Sequence, residues 1–163
     1  MSSNYKPVGG VESVALYPVD AVVAALFSSD GCEVTLSATP IEVELVDDLS
    51  CYEELSKSKN GIAKITHSLT LVADRATASQ WLDTEFLERC SAEGVVAVIS
   101  LCDGRRLLVG YSALFGNEQP LRLESLTSTS GSSLRDKPTV TLQLISHDTE
   151  FSQEILEIVQ ICS

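Results

Sequence analysis

From Lys64 to Leu71 the chain alternates strictly, with Ile65, His67, Leu69 and Leu71 on one side and Lys64, Thr66, Ser68 and Thr70 on the other. A period of two is the signature of an extended strand with one face on a core and the other in water. Ile41-Glu42-Val43-Glu44-Leu45 shows the same period, as do Val140, Leu142 and Leu144 against Thr139, Thr141 and Gln143, read as a last long strand. Val11–Tyr17 reads as a first strand stopped by Pro18. Ser28-Ser29-Asp30-Gly31 reads as the turn of a hairpin between Ala21–Phe27 and Cys32–Ser37. Val95–Leu101 is almost wholly apolar, as expected of a central strand covered on both faces. Asp103-Gly104 marks a turn into Arg105–Val109, and Leu121–Leu126 is a further strand. The residues therefore predict a mainly β chain, mostly antiparallel.

The period changes once in the middle of the chain. Ala78, Leu82, Phe86 and Cys90 recur every fourth residue beside Trp81, which predicts one amphipathic helix from Thr77 to about Glu93. Thr77 with Gln80 fits a capping box, and Gly94 fits a C-terminal stop. Phe151, Ile155, Ile158, Val159 and Cys162 give a second helical stripe, so residues 149–163 read as an amphipathic C-terminal helix, packed on its own domain or on a neighbouring subunit. Between them the chain offers two polar stretches. Residues 47–60 read as a long loop and contact element, and Thr127–Asp136 as a Ser/Thr/Gly loop. Residues 1–10 are polar and read as a flexible arm. Without repeats or low-complexity blocks, residues 1–163 read as a single domain, long enough to bury a core unaided.

Charge excludes some functions. Acids number 23 against 11 bases, a formal net charge of −12, and such a surface repels phosphate backbones and gains nothing from anionic lipid. Tight nucleic-acid binding and membrane association are not expected, and no apolar stretch approaches the ~20 residues of a spanning helix. With a polar start and five cysteines, Cys32, Cys51, Cys90, Cys102 and Cys162, none forming a CxxC pair, the expectation is reduced thiols and a cytoplasmic protein.

Candidate chemistry is sparse. His67, on the apolar face of its strand, reads as a hydrogen-bonded core histidine, and His147, at a strand end, as a surface residue. Gly110-Tyr111-Ser112-Ala113-Leu114 approaches a nucleophile elbow, but Leu114 stands where the final glycine belongs. Asp47-Asp48 and Glu53-Glu54 are acidic pairs without the ligand order of an EF-hand. No glycine-rich phosphate loop is present. The residues thus give no catalytic, cofactor or metal site, and a non-enzymatic role is expected.

Asp103-Gly104-Arg105-Arg106-Leu107-Leu108-Val109-Gly110-Tyr111-Ser112 and Phe115-Gly116-Asn117-Glu118-Gln119-Pro120-Leu121-Arg122-Leu123 carry a resemblance. So do Ser130-Gly131 through Asp136-Lys137-Pro138 to Thr141-Leu142, Val8-Gly9-Gly10-Val11 and Thr66-His67-Ser68-Leu69. Over roughly Val8 to Asp148 the chain resembles small prophage-encoded proteins of Bacteroides-type bacteria, similar in layout to phage tail-tube proteins. The resemblance implies a β-sandwich or small barrel of two packed sheets flanked by one helix, in subunits that form hexameric rings stacked into a tube. It also implies contacts with other tail proteins, ring-to-ring contact through the 47–60 loop, and a place in the virion if the prophage is active. The C-terminal amphipathic segment is a departure from that pattern. Two other readings stand beside it: a monomeric β-sandwich module binding a small molecule or peptide, and a hydrolase centred on Ser112. Aromatic residues, at 6%, are too few for a typical sugar-stacking platform.

Overall fold

The computed structural model describes residues 10–38, 40–45, 50–59, 62–112, 116, 118–129, 138–148 and 152–161. Its strands are β1 (Val11–Pro18), β2 (Val22–Phe27), β3 (Cys32–Leu36), β4 (Ile41–Val43), β5 (Cys51–Lys59), β6 (Ile62–Asp74), β7 (Val95–Leu101), β8 (Arg106–Val109), β9 (Arg122–Thr129), β10 (Thr139–Asp148) and β11 (Gln153–Gln160). Two helical pieces, α1 (Arg75–Ala78) and α2 (Thr84–Ala92), lie between β6 and β7. One sheet has seven strands in the order β2-β3-β11-β8-β7-β1-β4, and the other four in the order β5-β6-β10-β9. This is a mainly β fold of two packed, mostly antiparallel sheets with a helical flank. The exception is the β3–β11 pair, which is parallel.

Two cores result. The first lies between the sheets, where Leu69, Leu71, Leu142 and Leu144 of the smaller sheet meet Val14, Leu16, Ala97 and Ile99 of the larger. The second lies within the larger sheet, whose β2-β3-β11 portion brings Val34, Leu36 and Ile155 against Tyr17, Val96, Val98 and Leu108. Strand β7 serves both, since Val95, Ala97 and Ile99 enter the first core while Val96 and Val98 enter the second. That double coverage is the physical reason for its continuous apolar sequence. Each fully buried leucine contributes roughly 1.5–3 kcal/mol of transfer free energy, so the first core holds the sheets together.

Turn chemistry sets several connections. Ser28 N–H donates to Gly31 O at 2.8 Å, closing the β2–β3 hairpin at the expected turn. Gly104 takes φ +93° in the β7–β8 turn. Gly110, at φ +92°, follows β8, where a Cβ would lie 2.8 Å from the Val95 carbonyl oxygen. A side chain there would force the two backbones apart.

Four expectations are corrected. The helix is not continuous over 77–93: it breaks after Ala78, and the second piece starts afresh at Asp83, whose carboxylate accepts from Phe86 N–H at 2.8 Å. Asp74 caps the first piece by accepting from Ala76 N–H at 2.9 Å, and Gln80 lies in the turn between the pieces. An aspartate offers the backbone a competing acceptor, which ends one helix and begins another. The four-residue stripe survives because both pieces bury it, at Ala78, Phe86 and Cys90. Gly94 does stop α2, at φ +85°.

The expected 47–60 loop contains β5, a nine-residue strand paired with β6 from Cys51↔Thr70 to Lys59↔Ile62. Residues 47–49 and 60 lie outside the described residues. Its core-directed face carries Tyr52 and Glu54, so its alternation is polar on both sides and hides from a hydrophobic count. The C-terminal segment is a strand, not a helix, over Gln153–Gln160, with Phe151 and Cys162 outside the described residues. A register shift between Ile155 and Glu157 turns Ile155 and Ile158, three apart, toward the same core. A bulge thus reproduces helical spacing in an extended chain. Consequently β10 is not the last strand. Finally, β9 runs on to Thr129, past the expected start of a loop at Thr127, while residues 130–136 lie outside the described residues.

Candidate functional site

Three features on this frame combine functional side chains. The first is a polar chain built on β5 and β6. Tyr52 and Glu54 sit two apart on one face of β5, and the register sets Glu54 opposite His67. The Tyr52 hydroxyl donates to Glu54 Oε1 at 2.7 Å and lies 2.6 Å from His67 Nδ1. A phenol has one proton; donating it to the carboxylate leaves its oxygen to accept from an Nδ1–H of His67. Glu54 Oε1 also accepts from Ser152 N–H at 2.9 Å and from the Ser152 hydroxyl. Ser152 immediately precedes β11, so the chain of bonds ties the entry of that strand in the larger sheet to the smaller one. His67 is buried and hydrogen-bonded, as its place on the strand predicts.

The other sequence candidates do not assemble around it. Ser112 is buried, and its backbone exchanges hydrogen bonds with Gly116 at 3.2 and 2.9 Å, a β-bridge where an elbow needs a strand-to-helix turn. His147 is exposed, with Nδ1 3.4 Å from the Thr66 hydroxyl. Glu53 points to solvent while Glu54 joins the polar chain, and Asp47-Asp48 lies outside the described residues. Among the described residues no group of three or more His, Cys, Asp or Glu is placed to hold a metal ion. Cys32, Cys51, Cys90 and Cys102 are free thiols, and burial pushes those of Cys32 and Cys90 up to about 11. No described helix is long and apolar enough to cross a membrane.

The second feature is a groove of about 650 Å³ on the β4-β1-β7-β8 face that looks away from the smaller sheet. Its floor comes from Ser13 and Ala15 of β1 and Val98 and Ser100 of β7, with Arg106 of β8 at one side and Glu42 and Glu44 at the other. Ile158 of β11 forms a wall, and the Tyr17 hydroxyl reaches Gln160 Oε1 at 3.4 Å across the deep end. Burial and the charge of Glu42 both push the Tyr17 phenol above its usual range, so the Glu42 field reaches into the groove. Sequence reasoning missed this site because its polar residues come from four strands far apart in the chain.

The third feature is the outer face of β2-β3-β11. Leu26 is 69% exposed, Val23 58%, Leu156 48% and Val159 47%. Glu33 and Glu157 pair in register in the midst of these residues. Strand β2 is an edge of the sheet, with backbone groups that no described strand pairs.

These features belong to a mainly β sandwich with a helical flank. No protein-family model, curated protein or solved structure matches the chain.

Proposed function

We propose that the chain is a non-enzymatic structural subunit of phage-tail-tube type that self-assembles into rings. The observation that carries the reading is the outer face of β2-β3-β11, where exposed apolar residues adjoin an open strand edge. Such a surface is a template for another chain. Charge supports a second copy as its partner. Lys57, Lys59 and Lys64 fall at the far end of the β5–β6 hairpin, with Lys57 opposite Lys64, so three of the 11 bases gather there. Glu33 and Glu157 give the apolar face the opposite sign. A basic hairpin end on one copy against an acidic, apolar face on the next is a head-to-tail contact, the type that forms a ring when its rotation closes. The segment expected as a contact loop keeps that role here as a hairpin. By the resemblance a ring has six copies and meets other tail proteins; the chain is made in the cytoplasm and enters the virion if the prophage is active. A net charge of −12 suits a conduit that does not retain passing DNA.

Charge reversal tests the contact. Glu33→Lys with Glu157→Lys should abolish association, as should Lys57→Glu with Lys59→Glu and Lys64→Glu. Mixing the two variants should restore a mixed contact. Variants that associate like the unaltered protein would refute the head-to-tail arrangement.

One observation favours a second reading, a β-sandwich module that binds a small molecule or peptide: the groove over β1 and β7. Its volume is in the range of ligand sites, and a few polar groups converge on an apolar floor.

A further inference from the structure

The groove carries its charges in an order set by strand register. Arg106 pairs with Ser100, and Ser100 pairs with Ser13. Val14 pairs with Val43, so continuing that register by one residue sets Glu44 beside Ser13. Arg106, Ser100, Ser13 and Glu44 thus form one cross-strand row, a cation at one end, two hydroxyls between and a carboxylate at the other. Neighbouring strands lie about 4.8 Å apart, so the row spans roughly 14 Å between its end Cα atoms. The next row on the same face is Leu108, Val98, Ala15 and Glu42, apolar except for a second carboxylate on the acidic side.

Arg106 is half-buried, and among the described residues its guanidinium has no hydrogen-bond or ion-pair partner. Its neighbour Arg105 differs, being held by Asp103 at 2.8 Å. A chain with twice as many acids as bases thus leaves an unpaired guanidinium inside a groove that carries carboxylates on its opposite side. Guanidinium binds carboxylate through two parallel hydrogen bonds, and carboxylates bind ammonium. Between them Val98, Ala15 and Ile158 supply an apolar floor and wall.

We propose that this groove binds a short zwitterionic peptide, its terminal carboxylate on Arg106, its terminal ammonium at Glu42 and Glu44, and an apolar side chain on Ala15, Val98 and Ile158. A dipeptide separates its two charges enough to bridge the row once the Arg and Glu side chains reach inward. The inference deepens the second functional reading and does not depend on ring assembly.

The test is titration of the isotope-labelled protein with leucyl-leucine, its N-acetyl form, its C-terminal amide and isobutylamine, followed by NMR shifts of groove residues. The free dipeptide should saturate the shifts at Ser13, Val98 and Ser100, and each blocked form should bind at least tenfold more weakly. Arg106→Gln should weaken the free dipeptide at least tenfold but leave the amide unchanged, and Glu42→Gln with Glu44→Gln should do the same with respect to the acetylated form. Both variants must keep the dispersed spectrum of the unaltered chain. Should the amide or the acetylated form bind as well as the free dipeptide, or isobutylamine bind alone, the zwitterion assignment is overturned while a binding groove remains. Should no probe saturate, the groove reading falls as well.

Discussion

The two cores of this protein differ in how they are closed. The first is sealed between two sheets and α2, and Leu69, Leu71, Ile99, Leu142 and Leu144 are all fully buried in it. The second is enclosed by a single sheet turned over its own face, and it ends in an open groove at Tyr17 and Ile158. The strands that close it, β2, β3 and β11, are also those whose outer face is apolar and exposed. That sheet therefore has one face buried in a core and another, apolar in part, left exposed. At the centre of the smaller sheet β10 is flanked by β6 and β9, and Leu142 and Leu144 are fully buried in the first core.

Truncation on either side should separate the cores most sharply. Leu142→Ala in the sealed core is expected to cost about 3–4 kcal/mol in denaturant unfolding, because a closed site relaxes little around a deleted side chain. Val98→Ala, on the groove floor, should cost only about 1 kcal/mol, since water already reaches part of the space. Equal losses would mean that the groove is as closed as the core.

Next in size is the link between the sheets. Tyr52→Phe strips His67 and Glu54 of a shared hydroxyl and should cost about 1–2 kcal/mol. Hydrogen exchange should quicken at the start of β11 more than in β10. A uniform change would mean that the polar chain serves β5 alone.

The thiols report the smallest effect. At neutral to mildly alkaline pH a thiol reagent should label exposed Cys51 and Cys102 quickly, and reach buried Cys32 and Cys90 only on unfolding. Those two thiols are raised from 9.0 to about 11 in the folded chain. Their contribution is therefore complete below pH ~9 and lost as pH rises toward ~11, because the unfolded chain releases these protons first. Cys32 belongs to the second core and Cys90 to the first, so selective early labelling of Cys32 in that window would mark the second core as the one that opens first.

Much of the sandwich was legible because its strands obey simple periods. Ile65 to Leu71 and Val140 to Leu144 alternate against a core, and Val95–Leu101 is apolar because two cores claim it. The failures share a cause: local pattern was produced by something other than the element it suggested. A bulge gave β11 the spacing of a helix, although its Ile and Val content favours a strand. Edge strand β5 turns half-buried Tyr52 and Glu54 toward the core in place of apolar residues, so no hydrophobic alternation marks it. Asp83, three residues before Phe86, marked the true start of α2. The groove and the apolar outer face are products of register between distant strands, such as Ser100 with Ser13, and no local pattern records them.

The central claim is that the open face of β2-β3-β11 makes this chain assemble with itself. Sedimentation velocity across a wide concentration range, on the unaltered chain and on Leu26→Glu with Val159→Glu, tests it most directly. The account predicts a monomer-to-ring transition in the unaltered chain and a monomer at every concentration in the variant, both with the same secondary structure. A strict monomer at the highest concentration of the unaltered chain, or rings that persist in the variant, would contradict it.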